Sequence, residues 1–309
     1  MFRWTVLLCL MGCPKSNNSE VATSTPNPTA TTSPRTPAQE RFDLPYGEDP
    51  LMTFDLYLPQ EESRGVVLFG HGGSWVSGDK ANLDKAPALV PWLTDQGLAV
   101  AAPNFRLASP LGNPLEVTWR DQCTDIAASL TAVQDALAVD VPVVLLGYSS
   151  GAHLVAMLNA DPSWLDAAGV AHGDLAGSIS LDVHAYDVPM ALDLMDGSEI
   201  AKNIPLIEHL FGTEAADQLA ASPASYIDAE PVAPSLLFSA QESSDVGTHG
   251  FIASTTTAAY ATLLTEAGHT ASHVHLDDES HSSLVLDMGD PDDVPTAQIQ
   301  AFIDEYLPR

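Results

Sequence analysis

VPVVLLGYSSGAHL, residues 141–154, consists of an apolar run, a Gly-rich pentapeptide and the start of a helical pattern, in that order. The run is short and aliphatic, as in a strand that is buried on both faces of a sheet. Residues 147–151 fit the pattern G-x-S-x-G, in which a sharp strand-to-helix turn holds the serine in strained geometry at the sheet edge. The segment therefore predicts a parallel α/β sheet, with Ser149 as a nucleophile and a helix beginning near Ala152.

Short apolar runs alternate with longer helical patterns along the rest of the chain, which is typical of a mostly parallel sheet flanked by helices. Residues 184–231 lack a strand rhythm, and we expect them to form a small cap over the site. No repeat or second linker interrupts residues 41–309, which we expect to be one catalytic domain. The predicted strands are 66–69, 98–102, 143–146, 179–181, 236–238 and 273–276, preceded by a hairpin at 43–59, and the predicted helices lie near 84–95, 119–138, 152–160, 255–267 and 295–306.

The charge balance of the chain is strongly acidic. The 309 residues include 41 Asp and Glu against 11 Lys and Arg, which gives a formal net charge of −30. Such a surface repels phosphate backbones and anionic lipid, so we expect no nucleic-acid partner. No zinc-type ligand spacing, phosphate loop or dinucleotide fingerprint occurs, so neither a metal nor a cofactor is predicted. Asp182 and His184 end a predicted strand near the site, where a metal-binding role is the less favoured interpretation.

A second Gly-rich motif, HGGSW at 71–75, directly follows a predicted strand. Acyl transfer develops negative charge on the carbonyl oxygen, which preorganised N–H groups must stabilise. Glycines let backbone N–H groups turn inward without obstruction by side chains. We therefore expect Gly73 and Ser74 to donate to this oxyanion, with Gly72 shaping the turn and the N–H of Ser150 completing the hole.

These motifs together resemble the HGGG-type carboxylesterases of the α/β-hydrolase superfamily, in particular the bacterial feruloyl esterase and acetyl-xylan esterase group. The resemblance covers most of 45–285 in the family's order and implies the α/β-hydrolase fold, with Arg106 at a loop-bracing ion-pair position. It does not fix the substrate, because this fold serves many esters and some amides. The segments that carry the resemblance are Tyr46-Gly47 with FDLYLP (54–59), HGGSWVSGDK (71–80), NFRL (104–107), GYSSGAHL (147–154) and ASPASYI (221–227).

The resemblance also implies the other two members of a catalytic triad. The base falls on His281, a short loop after the last predicted strand, although an exposed histidine is the alternative in this acidic stretch. The family's acid position, counted from Ala240, falls on Ser243, which has no carboxylate. An insertion of two residues would bring Asp245 to that position, and Glu242 is the alternative acid. A water molecule or an unusual partner remains a third possibility.

The N-terminal region predicts export. Residues 1–12, MFRWTVLLCLMG, place one basic residue before a short apolar run, as in a secretory signal peptide. The following Cys13 completes a segment that resembles the lipobox of bacterial lipoproteins, which implies lipid attachment there. A plain signal peptide with an incidental cysteine is the alternative. Residues 13–40 are rich in Ser, Thr, Pro and Asn and are expected to form an unstructured linker.

Taken together, these features predict an exported serine carboxylic ester hydrolase that contacts a membrane only through its lipid. Its substrates would be short-chain, aryl or acetyl esters, either small molecules or groups linked to a polysaccharide. The expected mechanism is acyl transfer in two steps through a covalent intermediate. Two alternatives stay open, an amidase or formamidase with the same residues and a catalytically silent surface lipoprotein of the same fold. No oligomeric state is implied.

Lipid attachment at Cys13 predicts that the full-length chain, expressed in a bacterial host, partitions into membranes and gains the mass of its acyl chains. Stable anchoring requires two membrane signals such as dual acylation. We expect Cys13→Ser to release the protein into the soluble fraction without changing its catalytic turnover, as measured by fractionation and intact-mass spectrometry. Wild-type protein found in the medium, cleaved after a residue other than Gly12, would identify a plain signal peptide instead.

Overall fold

The computed structural model describes residues 39–228, 232–240 and 245–307. The predicted signal peptide, Cys13, nearly all of the predicted linker, and Glu242 lie outside these ranges, so their assignments remain predictions. Among the described residues, no helix combines the length and the apolar character needed to cross a bilayer.

The described residues form one sheet with helices on both of its faces. Its strands are β1 (Gln39–Pro45), β2 (Thr53–Leu58), β3 (Gly65–Gly70), β4 (Leu98–Pro103), β5 (Val143–Tyr148), β6 (Leu175–Leu181), β7 (Ser235–Ala240) and β8 (Ala271–Leu276). The helices are α1 (Leu89–Thr94), α2 (Trp119–Leu137), α3 (Ser150–Ala160), α4 (Ser163–Ala168), α5 (Val188–Met195), α6 (Ile204–Phe211), α7 (Ala215–Ala220), α8 (His249–Glu266), α9 (Ser283–Leu286) and α10 (Val294–Tyr306). Short 3-10 turns lie at Lys80–Lys85, His172–Asp174, Ala201–Asn203 and Pro223–Tyr226.

The strands follow the order β1-β2-β4-β3-β5-β6-β7-β8 across the sheet. The first two strands pair in antiparallel fashion, and β3 to β8 run parallel to one another. The predicted α/β class with a mostly parallel sheet is therefore confirmed. The helix predicted near 84–95 is divided into a 3-10 turn and α1, because Pro87 disfavours helical geometry at the preceding Ala86, whose φ and ψ are −113° and 70°.

The core consists of two apolar layers, one on each face of the sheet. Along β3, Val66 and Leu68 pack on the face that α2, α3 and α8 cover. Val67 and Phe69 pack on the opposite face with α1 and α10. Side chains of a strand alternate between the two faces, so a strand covered on both sides is apolar throughout. This explains why the central strands are continuous apolar runs in the sequence.

The parallel arrangement determines where polar loops meet. Strands β3, β5, β6, β7 and β8 are parallel neighbours, so their carboxyl ends lie along one edge of the sheet. Loops that follow these strands therefore converge, which is where open α/β sheets bind their ligands. The two Gly-rich motifs follow β3 and β5, and both reach this edge.

An ion pair fixes the loop after β4 to helix α2. The guanidinium of Arg106 contacts the carboxylate of Asp125 at 2.6 Å, and the Asp125 side chain is fully buried. The side-chain amide of Gln122 donates to the carbonyl oxygens of Arg106 and Trp75. The expected loop-bracing role of Arg106 is thus realised, and the same helix also holds the loop after β3.

Removal of Arg106 should destabilise the fold, because a buried carboxylate would lose its partner charge. We expect Arg106→Gln to lower the free energy of unfolding by about 3 kcal/mol, measured by chemical denaturation at neutral pH. Arg120→Gln is the matched control, since the exposed Arg120 lies 4.3 Å over the ring of Trp119 on the same helix. Loss of such an exposed contact costs about 1 kcal/mol or less. Equal losses in both variants would contradict the structural role of the ion pair.

Candidate active site

Ser149 lies at the sharp turn that joins β5 to α3. Its φ of 54° and ψ of −121° are strained for a residue with a side chain. A Cβ atom on Gly151 would lie 2.1 Å from the carbonyl oxygen of Gly70, and one on Gly147 would lie 2.4 Å from the carbonyl oxygen of Gly151. The two glycines of the motif are therefore required by close backbone approach, and the turn presents Ser149 at the sheet edge.

His281 approaches Ser149 from the loop after β8. Its Nε2 atom lies 3.1 Å from the hydroxyl oxygen of Ser149. Tyr148 packs its ring 5.0 Å from the imidazole, and its hydroxyl donates to the carbonyl oxygen of His281 at 2.8 Å. The structure therefore brings together the two residues that the sequence predicted as nucleophile and base.

Asp182 occupies the other side of the imidazole. Its Oδ2 atom lies 2.6 Å from Nδ1 of His281, and its side chain is fully buried. The Oδ1 atom accepts a hydrogen bond from the N–H of Ala240 at 3.0 Å, and the Asp182 N–H donates to the carbonyl oxygen of Phe238. The carboxylate is thus fixed between the ends of β6 and β7.

The carboxylate beside His281 is not one of those that the sequence predicted. Asp245, which the sequence favoured for this position, is exposed in the loop before α8, and Asp182 holds the place beside His281. The prediction searched the loop after β7, whereas the carboxylate comes from the end of β6, one strand earlier. Neighbouring parallel strands deliver side chains to almost the same place, so either strand can supply the acid. The signal in the sequence for this carboxylate was the aspartate, Asp182, that directly follows Leu181, the last residue of β6.

Two further histidines lie near this pair: His249, which the sequence did not indicate, and His184, which it placed near the site and whose ring lies 5.8 Å from that of His249. The ring of His249 lies 4.7 Å from that of His281, and its Nδ1 atom lies 3.9 Å from Oδ2 of Asp182. Burial lowers the pKa of His249, although the neighbouring carboxylate acts in the opposite direction. Burial also lowers the pKa of His184 to about 3. Both side chains are therefore neutral at pH 7 and do not compete as cations for Asp182.

The same cluster can be tested as a metal site. Ligand atoms of Asp182, His249 and His281 all lie within 4.8 Å of one another. Tetrahedral zinc with bonds of about 2.0 Å would separate its ligand atoms by roughly 3.3 Å. The 2.6 Å between Asp182 and His281 is shorter than this and matches a charge-assisted hydrogen bond. The arrangement fits a hydrogen-bonded pair better than a metal centre.

The loop after β3 lies directly against the nucleophile. A Cβ atom on Gly72 would lie 3.0 Å from the Cβ of Ser149, so only glycine fits there without displacement. The backbone then turns through positive φ at Gly73 (143°), Ser74 (53°) and Trp75 (63°). Neither Gly73 nor Ser74 donates its N–H to another described residue.

Helix α3 brings a further N–H group to this place. Ser150 is its first residue, and the first N–H groups of a helix have no partner within the helix. The predicted oxyanion residues Gly72, Gly73, Ser74 and Ser150 therefore all lie around the Ser149 turn.

Buried aromatic side chains hold the loop after β3 in place. The indole N–H of Trp75 donates to Nδ1 of His153 at 3.1 Å, and Nε2 of His153 donates to the carbonyl oxygen of Ala221 at 2.8 Å. Burial lowers the pKa of His153 to about 4, so the ring is neutral and structural. At the start of the loop, His71 stacks on Phe105 with ring centres 4.2 Å apart.

A cavity of about 380 Å³ opens on Ser149 and His281. The loop after β3 forms one wall, and the rest comprises Tyr148 together with residues of the Lys80–Lys85 turn. No Leu, Ile, Val, Met or Phe side chain of the described residues lines it. The described part of residues 184–231 contains three helices, as the lack of a strand pattern suggested. None of its residues lines this cavity.

Curated relatives match part of the chain. It is 31% identical to a kynurenine formamidase from Danio rerio over 126 residues, which is 40% of this chain and 40% of that protein. It is 30% identical to the isoprenylcysteine alpha-carbonyl methylesterase ICME of Arabidopsis thaliana over 124 residues, 38% of this chain and 27% of that protein. The chain thus spans about 40% or less of the length of these relatives.

Solved structures match most of the chain at lower identity. Esterase B from Lactobacillus Rhamnosis superposes with a TM-score of 0.67 at 19% identity, covering 87% of this chain and 86% of that one. A truncated carbohydrate esterase from gut microbiota gives a TM-score of 0.67 at 17% identity, covering 90% and 99%. At such identities the similarity shows the fold, which is that of the α/β-hydrolases.

The family model matches a range that includes part of the candidate site. The BD-FAE family model matches residues 54–249, a range that begins in β2 and ends at the start of α8. It includes the loop after β3, the Ser149 turn and Asp182. Because this match extends over more than half of the chain and the fold agrees with it, the protein belongs to the BD-FAE family of hydrolases.

Proposed function

We propose that this protein is a carboxylic ester hydrolase in which Ser149 is the nucleophile, His281 the general base and Asp182 the orienting acid. One observation carries the proposal: a chain of hydrogen bonds runs from the Ser149 hydroxyl through both nitrogens of His281 to a buried carboxylate, with lengths of 3.1 and 2.6 Å. Nucleophile, base and orienting group in such contact are the signature of activated serine catalysis.

The first step is attack by the Ser149 oxygen on the ester carbonyl carbon, while Nε2 of His281 accepts the hydroxyl proton. Asp182 fixes the imidazole with its Nδ1–H toward the carboxylate and stabilises the imidazolium that forms. The protonated Nε2 then donates its proton to the departing alkoxide. The alcohol leaves, and the acyl group remains on Ser149.

The second step repeats the proton transfers with water. Nε2 of His281 removes a proton from a water molecule that attacks the acyl carbon, and the same proton returns to Ser149 as the carboxylic acid is released. In both steps the carbonyl oxygen gains negative charge. The N–H groups of Gly73, Ser74 and Ser150 are the proposed donors to it, because they surround the nucleophile and the two in the loop have no partner among the described residues.

The polar cavity supports short acyl groups as substrates. A long alkyl chain gains affinity by burying apolar surface, and the described cavity lining contains no aliphatic side chain to receive one. We therefore propose short-chain, aryl or acetyl esters, free or linked to a carbohydrate.

A formamidase is the second candidate, and similarity to kynurenine formamidases is the observation that favours it. The same residues would act, with His281 protonating the departing amine. Comparison of kcat/KM for 4-nitrophenyl acetate and for a formylated aryl amine decides between the two. A catalytically silent role had one argument from the sequence, the lack of a carboxylate at Ser243. The carboxylate of Asp182 beside His281 removes that argument, so this role is not supported.

Activity should depend on Ser149 and on no added metal. The purified protein should hydrolyse 4-nitrophenyl acetate in the presence of a chelator, with laurate a poorer substrate, and an organophosphate should label Ser149 by peptide mass spectrometry. Ser149→Ala should lower kcat by roughly 10⁵-fold, because the nucleophile and its covalent intermediate are lost. Ester hydrolysis that survives this substitution would overturn the mechanism.

Asp182→Asn should lower kcat by about 10³- to 10⁴-fold with little change in KM, because the amide favours the wrong imidazole tautomer. Asp245→Asn and Glu242→Gln are the controls from the loop after β7, and each should cost less than about tenfold. Thermal melting would verify that the Asp182 variant is folded. The reverse ranking would return the acid to the β7 loop and refute the role assigned to Asp182.

A further inference from the structure

The cavity at Ser149 contains a cation that forms no ion pair with a described carboxylate. Lys85 lines the cavity together with Ser149 and His281 and is exposed to solvent. Among the described residues it makes neither a hydrogen bond nor an ion pair. At the other end of the same turn, Lys80 contacts Asp43 and Asp55, each at 2.8 Å.

The charge of the cavity lining contrasts with the composition of the chain. Acidic residues outnumber basic ones by 41 to 11, yet the described cavity lining contains no Asp or Glu. The net negative field of the protein repels anions in solution. A positive charge in the cavity that opens on Ser149 therefore changes which substrates can approach it.

A structural role is the competing explanation for Lys85. It ends the 3-10 turn Lys80–Lys85, where a cation interacts favourably with the last carbonyl groups. This effect is small for an exposed side chain and acts on stability alone. It predicts no dependence of turnover on substrate charge, so the two explanations are separable by experiment.

We propose that Lys85 recognises a carboxylate on the substrate, so that the preferred ester is an acidic one. The inference rests on the proposed esterase function: Ser149 and His281 hydrolyse the ester, and Lys85 selects for charge. The side-chain amide of Asn82 lines the same cavity and is a neutral donor to the same carboxylate. The carboxylate belongs either to the acyl group or to the alcohol, and paired probes distinguish these positions.

The probes are esters matched in shape and different in charge. Mono-4-nitrophenyl adipate against its methyl ester places the charge in the acyl group, and 4-carboxyphenyl acetate against 4-(methoxycarbonyl)phenyl acetate places it in the alcohol. The measured quantity is the ratio of kcat/KM for the charged ester to that for the neutral one. In at least one pair, Lys85→Gln should lower this ratio about tenfold, and Lys85→Glu should lower it further.

Lys202→Gln is the matched control, because Lys202 lies in the turn Ala201–Asn203 and does not line the cavity. It should leave both ratios at their wild-type values. Added salt should reduce the wild-type preference and have little effect in Lys85→Gln, since screening acts on the charge that the variant lacks.

The outcomes separate this inference from the proposed function. If neutral esters are hydrolysed but neither ratio responds to Lys85→Gln, in protein whose thermal melting shows it to be folded, selection by Lys85 is overturned and the esterase function stands. If wild-type protein hydrolyses neither charged nor neutral esters, both proposals fail. A preference that Lys202→Gln removes equally would reflect the general field of the protein and would also overturn the role of Lys85.

Discussion

Burial of a carboxylate at the end of β6 is the constraint on which the site depends. Removing such a group from water costs free energy unless hydrogen bonds replace its solvation. Asp182 obtains them from the N–H of Ala240 on the neighbouring strand and from Nδ1 of His281. Three separate parts of the chain are thereby joined at one side chain, and the imidazole that results is oriented toward Ser149. The orientation of the imidazole thus follows from the hydrogen bonds that the buried carboxylate requires.

The elements that sequence patterns reveal are those governed by local rules. Central strands are buried on both faces, so apolar runs predicted β3 to β7 correctly in type and approximate place. The Ser149 turn was predictable because Gly147 and Gly151 meet neighbouring backbone atoms and tolerate no side chain. The predicted helix near 84–95 is interrupted because Pro87 disfavours helical geometry at the preceding residue, which the helical periodicity alone does not show.

The carboxylate beside His281 was missed because its place there depends on neighbours in space. Counting along the loop after β7 indicated Asp245, but the sheet aligns the ends of β6 and β7, and it is Asp182 that contacts His281. The same reason applies to His249 and Lys85, which approach the site from α8 and from a turn distant in sequence. Neither belongs to a motif, so only the assembled sheet edge shows that they are neighbours of Ser149 or of its partners.

Asp182, the proposed acid, lies directly after β6 and not in the loop after β7. The segment between β7 and α8 no longer has to hold a carboxylate against the imidazole, so its length and composition are released from the chemistry of proton transfer. A protein engineer can therefore lengthen or diversify this segment without removing a proposed reacting group. In the proposed mechanism, a change of sequence in this segment therefore leaves the hydrogen bonds between Ser149, His281 and Asp182 in place.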